Sequence, residues 1–255
     1  MKRWRQAIFI VISLSIAGCA GRTAQPAIGV HPTPGAESVR VCLLKDPRSD
    51  LPGWASGIPT GTEEIVTCLH VVRTPVSSLS IDDQTVFVEV VAAGGQWHST
   101  NADGTVASGD DWADIASDWL KLKVPGGRFP APAQNVIDFD RPLRAGETIV
   151  LIGFPFNASK AISESPNKPT IVAGRVAKSP SDWNDRIIAV ELDVPPDHDH
   201  FGGMSGGAAA VYDSRAKQWV VVGIVRGASE RRYGFGPFEW SVESLVQIVR
   251  PPPRP

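Results

Sequence analysis

The tightest constraint on the fold is the spacing of short apolar runs. From Ser38 onward the chain alternates runs of β-branched and aliphatic residues with clusters of Gly, Pro, Asp and Asn. The runs are Val39 to Leu44, Glu64 to Leu69, Thr85 to Val91, Trp119 to Val124, Thr148 to Ile152, Thr170 to Val176, Ile187 to Leu192, Ala208 to Tyr212 and Trp219 to Val225. Runs of this length between turn residues predict an all-β sandwich or barrel. One helix is predicted, over 241–249, where Val242, Leu245, Val246 and Val249 recur at the spacing of one helical face. Pro251 to Pro253 would stop it. The segment from Pro125 to Arg144 is rich in Pro and Gly and poor in strand pattern, which marks a boundary between halves. Each half carries about half a dozen strand-like runs, enough for a small barrel. The expectation is two six-stranded antiparallel barrels, over about 38–124 and about 144–236, in one unit spanning 38–250.

The N-terminal residues build no core. Met1 to Arg5 is cationic, and the apolar run Ala7 to Ala17 is too short for a permanent membrane span, so 1–18 reads as an export signal. Ile16-Ala17-Gly18-Cys19 resembles the bacterial lipobox, which implies cleavage before Cys19 and lipidation of its sulfur. Residues 19–37 then serve as a tether. The expected location is the cell envelope. With Ala20 after the lipidated Cys, that means the outer membrane or periplasmic face of a two-membrane bacterium. In a one-membrane bacterium it means the extracytoplasmic face of the plasma membrane. Cys42 and Cys68 remain, and in an oxidising compartment two cysteines can form one bridge. A net charge of −2 with interspersed signs gives no cationic face for phosphates, so composition supports no nucleic-acid partner.

Three segments carry chemistry. Gly203-Met204-Ser205-Gly206-Gly207 precedes an apolar run, and its glycines allow a turn in which the N–H groups of Gly203 and Ser205 point at one spot, as an oxyanion requires. A serine hydroxyl also needs a base. His70 supplies one, just after the strand-like Ile65 to Leu69. The third group is a carboxylate to orient the imidazole. Asp118, heading the run Trp119 to Val124, is favoured over Asp114. The Asp197-His198-Asp199-His200 stretch reads as a solvated loop, since consecutive residues in a Pro-flanked loop rarely converge on one ion. No metal or cofactor is expected.

Together these segments resemble the chymotrypsin-like serine proteases, most closely the compact bacterial trypsin-like and HtrA-type enzymes. The likeness is carried by Thr67 to Val72, Asp118 to Val124, Gly203 to Gly207, and by Gly153-Phe154-Pro155 with Ala173 to Val176. It implies a serine endopeptidase acting on protein or peptide substrates, with His70, Asp118 and Ser205 as triad. Met204 departs from the Asp or Asn common at its position, and no PDZ domain is expected after the protease region. The motif also fits the G-x-S-x-G elbow of α/β-hydrolases, but those need a histidine after the serine and none of the five histidines follows Ser205. The competing reading is a non-catalytic binding module on the same fold. Specificity stays open: Asp199 would favour basic residues, and Arg226 would attract acidic chains.

Overall fold

The structure is a computed structural model that describes residues 34–45, 54–72, 77–95, 116–126, 135–155, 168–178, 185–193, 203–233 and 241–252. Residues 1–33, the signal and most of the tether expected over 19–37, with Cys19, lie outside the described residues, as do Asp114 and Asp197 to His200. The end of that stretch is packed and not a free tether: Pro34 accepts a hydrogen bond from Trp219 Nε1 at 3.4 Å, and Ala36 is fully buried in one cluster with Trp219.

Among the described residues, fourteen strands make two sheets, antiparallel but for one short pairing. The first holds β1 (Cys42–Lys45), β2 (Ala55–Pro59), β3 (Glu64–Thr67), β4 (Ser78–Ile81), β5 (Gln84–Phe87), β6 (Glu89–Ala93) and β7 (Leu120–Lys123), in the order β5-β4-β1-β2-β3-β7-β6. The second holds β8 (Val136–Ile137), β9 (Thr148–Gly153), β10 (Thr170–Val176), β11 (Ile187–Leu192), β12 (Ala208–Asp213), β13 (Gln218–Tyr233) and β14 (Ser241–Val249). Its order is β12-β9-β10-β11-β14-β13-β8, with the short β8 joining parallel to β13.

The all-β expectation holds, with two corrections. Only the second sheet closes, because β12 pairs with both β9 and β13. In the first, β5 and β6 remain edges among the described residues, so this half is an open, curved sheet. The second correction concerns the predicted terminal helix, which is strand β14, paired with β11 from Ile187↔Val249 and with β13 from Ile224↔Val249. Its apolar residues serve both faces of a strand: Val246 and Ile248 enter the barrel core, while Val249 packs on the opposite side. Branching at Cβ favours this over a helix.

The three larger of four apolar clusters among the described residues follow from strand alternation. Ile149 and Leu151 of β9, with Ala209 and Val211 of β12, fill the second barrel. Ile65, Leu79, Ile81, Leu120 and Leu122 fill the first half. Val150, Ile152, Ala208 and Ala210, the intervening positions, face Ile58, Val66 and Cys68 of the first half and form the seam between the two.

Candidate active site

The candidate site lies along this seam. β3 pairs with β7 from Thr67↔Leu120 to Glu64↔Lys123. Extending that register past both strand ends brings Asp118, two residues before β7, beside the 3-10 turn Leu69–Val71 that carries His70. Asp118 Oδ1 accepts the main-chain N–H of His70 at 2.9 Å, and Asp118 Oδ2 lies 2.6 Å from His70 Nδ1. The carboxylate thus holds the imidazole by ring and backbone at once. Asp118 is 6 % exposed, whereas the His70 side chain is 40 % exposed and open toward solvent. Burial pushes the Asp118 carboxyl up, but hydrogen bonds and charge from His70, helped by the Arg226 guanidinium, outweigh it and hold the group below its ordinary value.

Ser205 sits on a turn framed by left-handed glycines, Gly203 at φ +80° and Gly206 at φ +86°. Gly207 N–H donates to the Met204 carbonyl at 2.9 Å, and Gly206 N–H to the Val225 carbonyl at 2.8 Å. A Cβ on Gly206 would run into the carbonyl oxygen of Ser56 and the hydroxyl of Thr67, so only glycine fits. Met204 turns into the barrel core at 1 % exposure, which gives its departure from the family pattern a packing role. The Ser205 hydroxyl donates to the Arg226 carbonyl at 2.8 Å. With its single proton committed there, it donates none to His70 in this arrangement.

Two residues support these groups in ways that sequence reasoning missed. Ser56, buried on β2, donates its N–H to the Ser205 carbonyl at 2.8 Å and its hydroxyl to the Gly203 carbonyl at 2.9 Å. The same hydroxyl accepts Phe154 N–H at 2.9 Å, so Ser56 ties the serine turn to the other half. It lies in a short run with Gly57 and Pro59, a pattern that reads as a turn. Arg226, read from sequence as a substrate-facing cation, instead donates Nε to Asp118 Oδ2 at 2.9 Å and Nη1 to Gln247 at 2.7 Å.

The Cys42–Cys68 bridge that the sequence allows is not formed. Both are buried free thiols, Cys42 donating to the Gly57 carbonyl at 3.5 Å and Cys68 to the Val225 carbonyl at 3.2 Å. Strand β2 lies between β1 and β3, and two strand spacings, roughly 10 Å, exceed the reach of a disulfide. Cys68, His70 and Asp118 place one ligand atom each within 4.8 Å of one another. As a metal set they are already committed: Asp118 serves His70 and Arg226, and burial, reinforced by Asp118, pushes the Cys68 thiol up and disfavours a thiolate.

A two-sheet β fold with a histidine and a buried aspartate on one half and a glycine-framed serine on the other defines the trypsin-like class. The sequence profile of the trypsin-like peptidase domain matches residues 55–224, more than half of the chain, and the chain belongs to that family. No curated protein sequence matches it. Among solved structures it is similar to kallikrein-related peptidase 10 in complex with Zn2+, at 15 % identity and TM-score 0.51, covering 85 % of this chain and 91 % of that one. It is also similar to the Rv3671c protease of M. tuberculosis in its active form, at 17 % identity and TM-score 0.49, covering 84 % and 77 %. The serine endoprotease of Yersinia pestis aligns at 14 % identity and TM-score 0.46, covering 84 % of this chain and 59 % of that one.

Proposed function

We propose that this protein is an exported, lipid-anchored serine endopeptidase that cleaves peptide bonds through an acyl-enzyme. Ser205 is the nucleophile, His70 the general base and acid, and Asp118 the group that fixes the imidazole tautomer. The N–H groups of Gly203 and Ser205 bind the oxyanion. One observation carries the reading: a buried carboxylate grips both the ring and the main chain of His70, on a seam shared with the glycine-framed turn of Ser205.

In the reaction the Ser205 hydroxyl turns from the Arg226 carbonyl to His70 Nε2. Its proton passes to His70 as Oγ bonds to the scissile carbon. The proton then goes to the departing amine as the C–N bond breaks, and water, activated by the same imidazole, releases the acid and restores Ser205.

A fluorophosphonate probe should form a covalent adduct on Ser205 of the folded protein. The adduct should vanish in Ser205→Ala and drop sharply in His70→Ala. A folded protein that never reacts, and leaves casein intact, would transfer the assignment to a non-catalytic binding module.

Export and anchoring rest on the basic start, the apolar run and Ile16-Ala17-Gly18-Cys19. Cys19→Ser should move the protein from the membrane fraction to the soluble one. Unchanged membrane association with no acyl mass on the mature N-terminus would reject the anchor.

A further inference from the structure

The ladder between β13 and β14 slips beside the site: Val225 faces Ile248 while Gly227 faces Gln247, which leaves the Arg226 main chain without a ladder position opposite it on β14. Such a bulge re-aims both the main chain and the side chain of the extra residue. At Arg226 both point to the same chemistry. The carbonyl accepts the Ser205 hydroxyl at 2.8 Å, and the guanidinium reaches across the seam to Asp118 Oδ2 at 2.9 Å. Its Nη1 donates to Gln247 Oε1 at 2.7 Å, and Gln247 is itself 3 % exposed on β14.

We propose that Arg226 is a positioning residue for the hydrolytic reaction. Its guanidinium, braced by Gln247, fixes the Asp118 carboxylate from the opposite sheet, while its carbonyl parks the Ser205 hydroxyl at rest. A single bulge thereby sets both ends of the triad. The inference rests on the serine-endopeptidase reading above.

The physical argument concerns the carboxylate plane. Asp118 receives two bonds from His70, one on each oxygen, and both come from the same residue. They can shift together as the 3-10 turn moves. A donor from the second sheet removes that freedom, because a guanidinium presents its N–H groups in a rigid planar fork. Gln247 holds the far end of the fork, so the plane is set by the barrel and not by the turn. The imidazole follows the carboxylate, and a misplacement of about 1 Å in such a group costs roughly 10²-fold in rate. A lysine ammonium restores the charge but lacks the fork needed to engage Asp118 and Gln247 in one plane. Two of the guanidinium's donors being spent inside the site, Arg226 is a poor candidate for selecting acidic substrates.

The test compares wild type, Arg226→Met, Arg226→Lys and Gln247→Leu in their reaction with a fluorophosphonate, separating the limiting inactivation rate from the apparent probe affinity. Arg226→Met should lower the limiting rate roughly 10²-fold with little change in affinity. Arg226→Lys should recover part of the loss, and Gln247→Leu should show a smaller one. The low-field proton resonance of the His70–Asp118 bond should shift or broaden in Arg226→Met. If that variant fails to fold, as read by thermal unfolding, the Lys and Leu variants decide, and wild-type rates in both overturn the proposal. Wild-type labelling with Arg226→Met equally fast and its resonance unmoved rejects the role of Arg226 alone. A wild type that does not label removes the hydrolase reading along with it.

Discussion

At the scale of single residues the site turns on how a carboxylate stays ionised when buried. Removing Asp118 from water disfavours its charge, and the His70 donors with the nearby guanidinium restore it, so its folded value lies below the ordinary 3.8. In acid the unfolded chain therefore binds more protons at this position than the folded one. Ionised Asp118 contributes stability that is complete above the unfolded value and fades as pH falls through the lowered folded value. Asp118→Asn should keep the fold and slow probe labelling by up to about 10⁴-fold, through the wrong imidazole tautomer. Urea unfolding in acid should show the gap between wild type and Asp118→Asn narrowing as pH falls below about 4. A gap that stays constant into strong acid would mean that Asp118 is not held ionised. His70 and Ser205 are legible in the sequence as candidates because of their neighbours, a strand end before one and glycines around the other. Arg226 is not, since nothing local to it announces a bulge or the aspartate it turns to.

At the scale of elements, the serine turn and β14 show two ways in which local pattern and fold interact. The turn is specified locally. Gly206 is left-handed, and a Cβ there would collide with backbone from β2 and with Thr67. Gly206→Ala should cost about 1–3 kcal/mol in urea unfolding, with a loss of labelling greater than the loss of stability because Ser205 moves with the turn. An alanine variant as stable and as reactive as wild type would show that the turn tolerates a side chain. Strand β14 is specified by its surroundings. Its apolar residues fit one face of a helix in isolation, yet β11 and β13 present two open ladders that only a strand can satisfy together. Strand β2 is hidden in the sequence for the opposite reason, because Ser56, Gly57 and Pro59 resemble a turn, and its burial on both sides is a property of the assembled halves.

At the scale of the whole molecule, the candidate site depends on a seam that neither half contains. Ile58, Val66 and Cys68 from one sheet meet Val150, Ile152 and Ile224 from the other, and Ser56 bonds to the serine turn across the same boundary. Sequence alone specified the class of fold, since alternating branched runs between turn residues bury surface only as sheets, and it singled out a candidate nucleophile and a candidate base, each resting on a few adjacent residues. Assembly decided the rest. Which sheet closed, whether the last apolar segment joined it as a strand, that two cysteines stood two strands apart, and that an arginine turned inward to an aspartate all depend on contacts between residues far apart in the chain. Local propensity amounts to a few tenths of a kcal/mol per residue, whereas pairing two ladders and burying both faces of a strand is worth several times that, so tertiary contacts prevail wherever the two disagree.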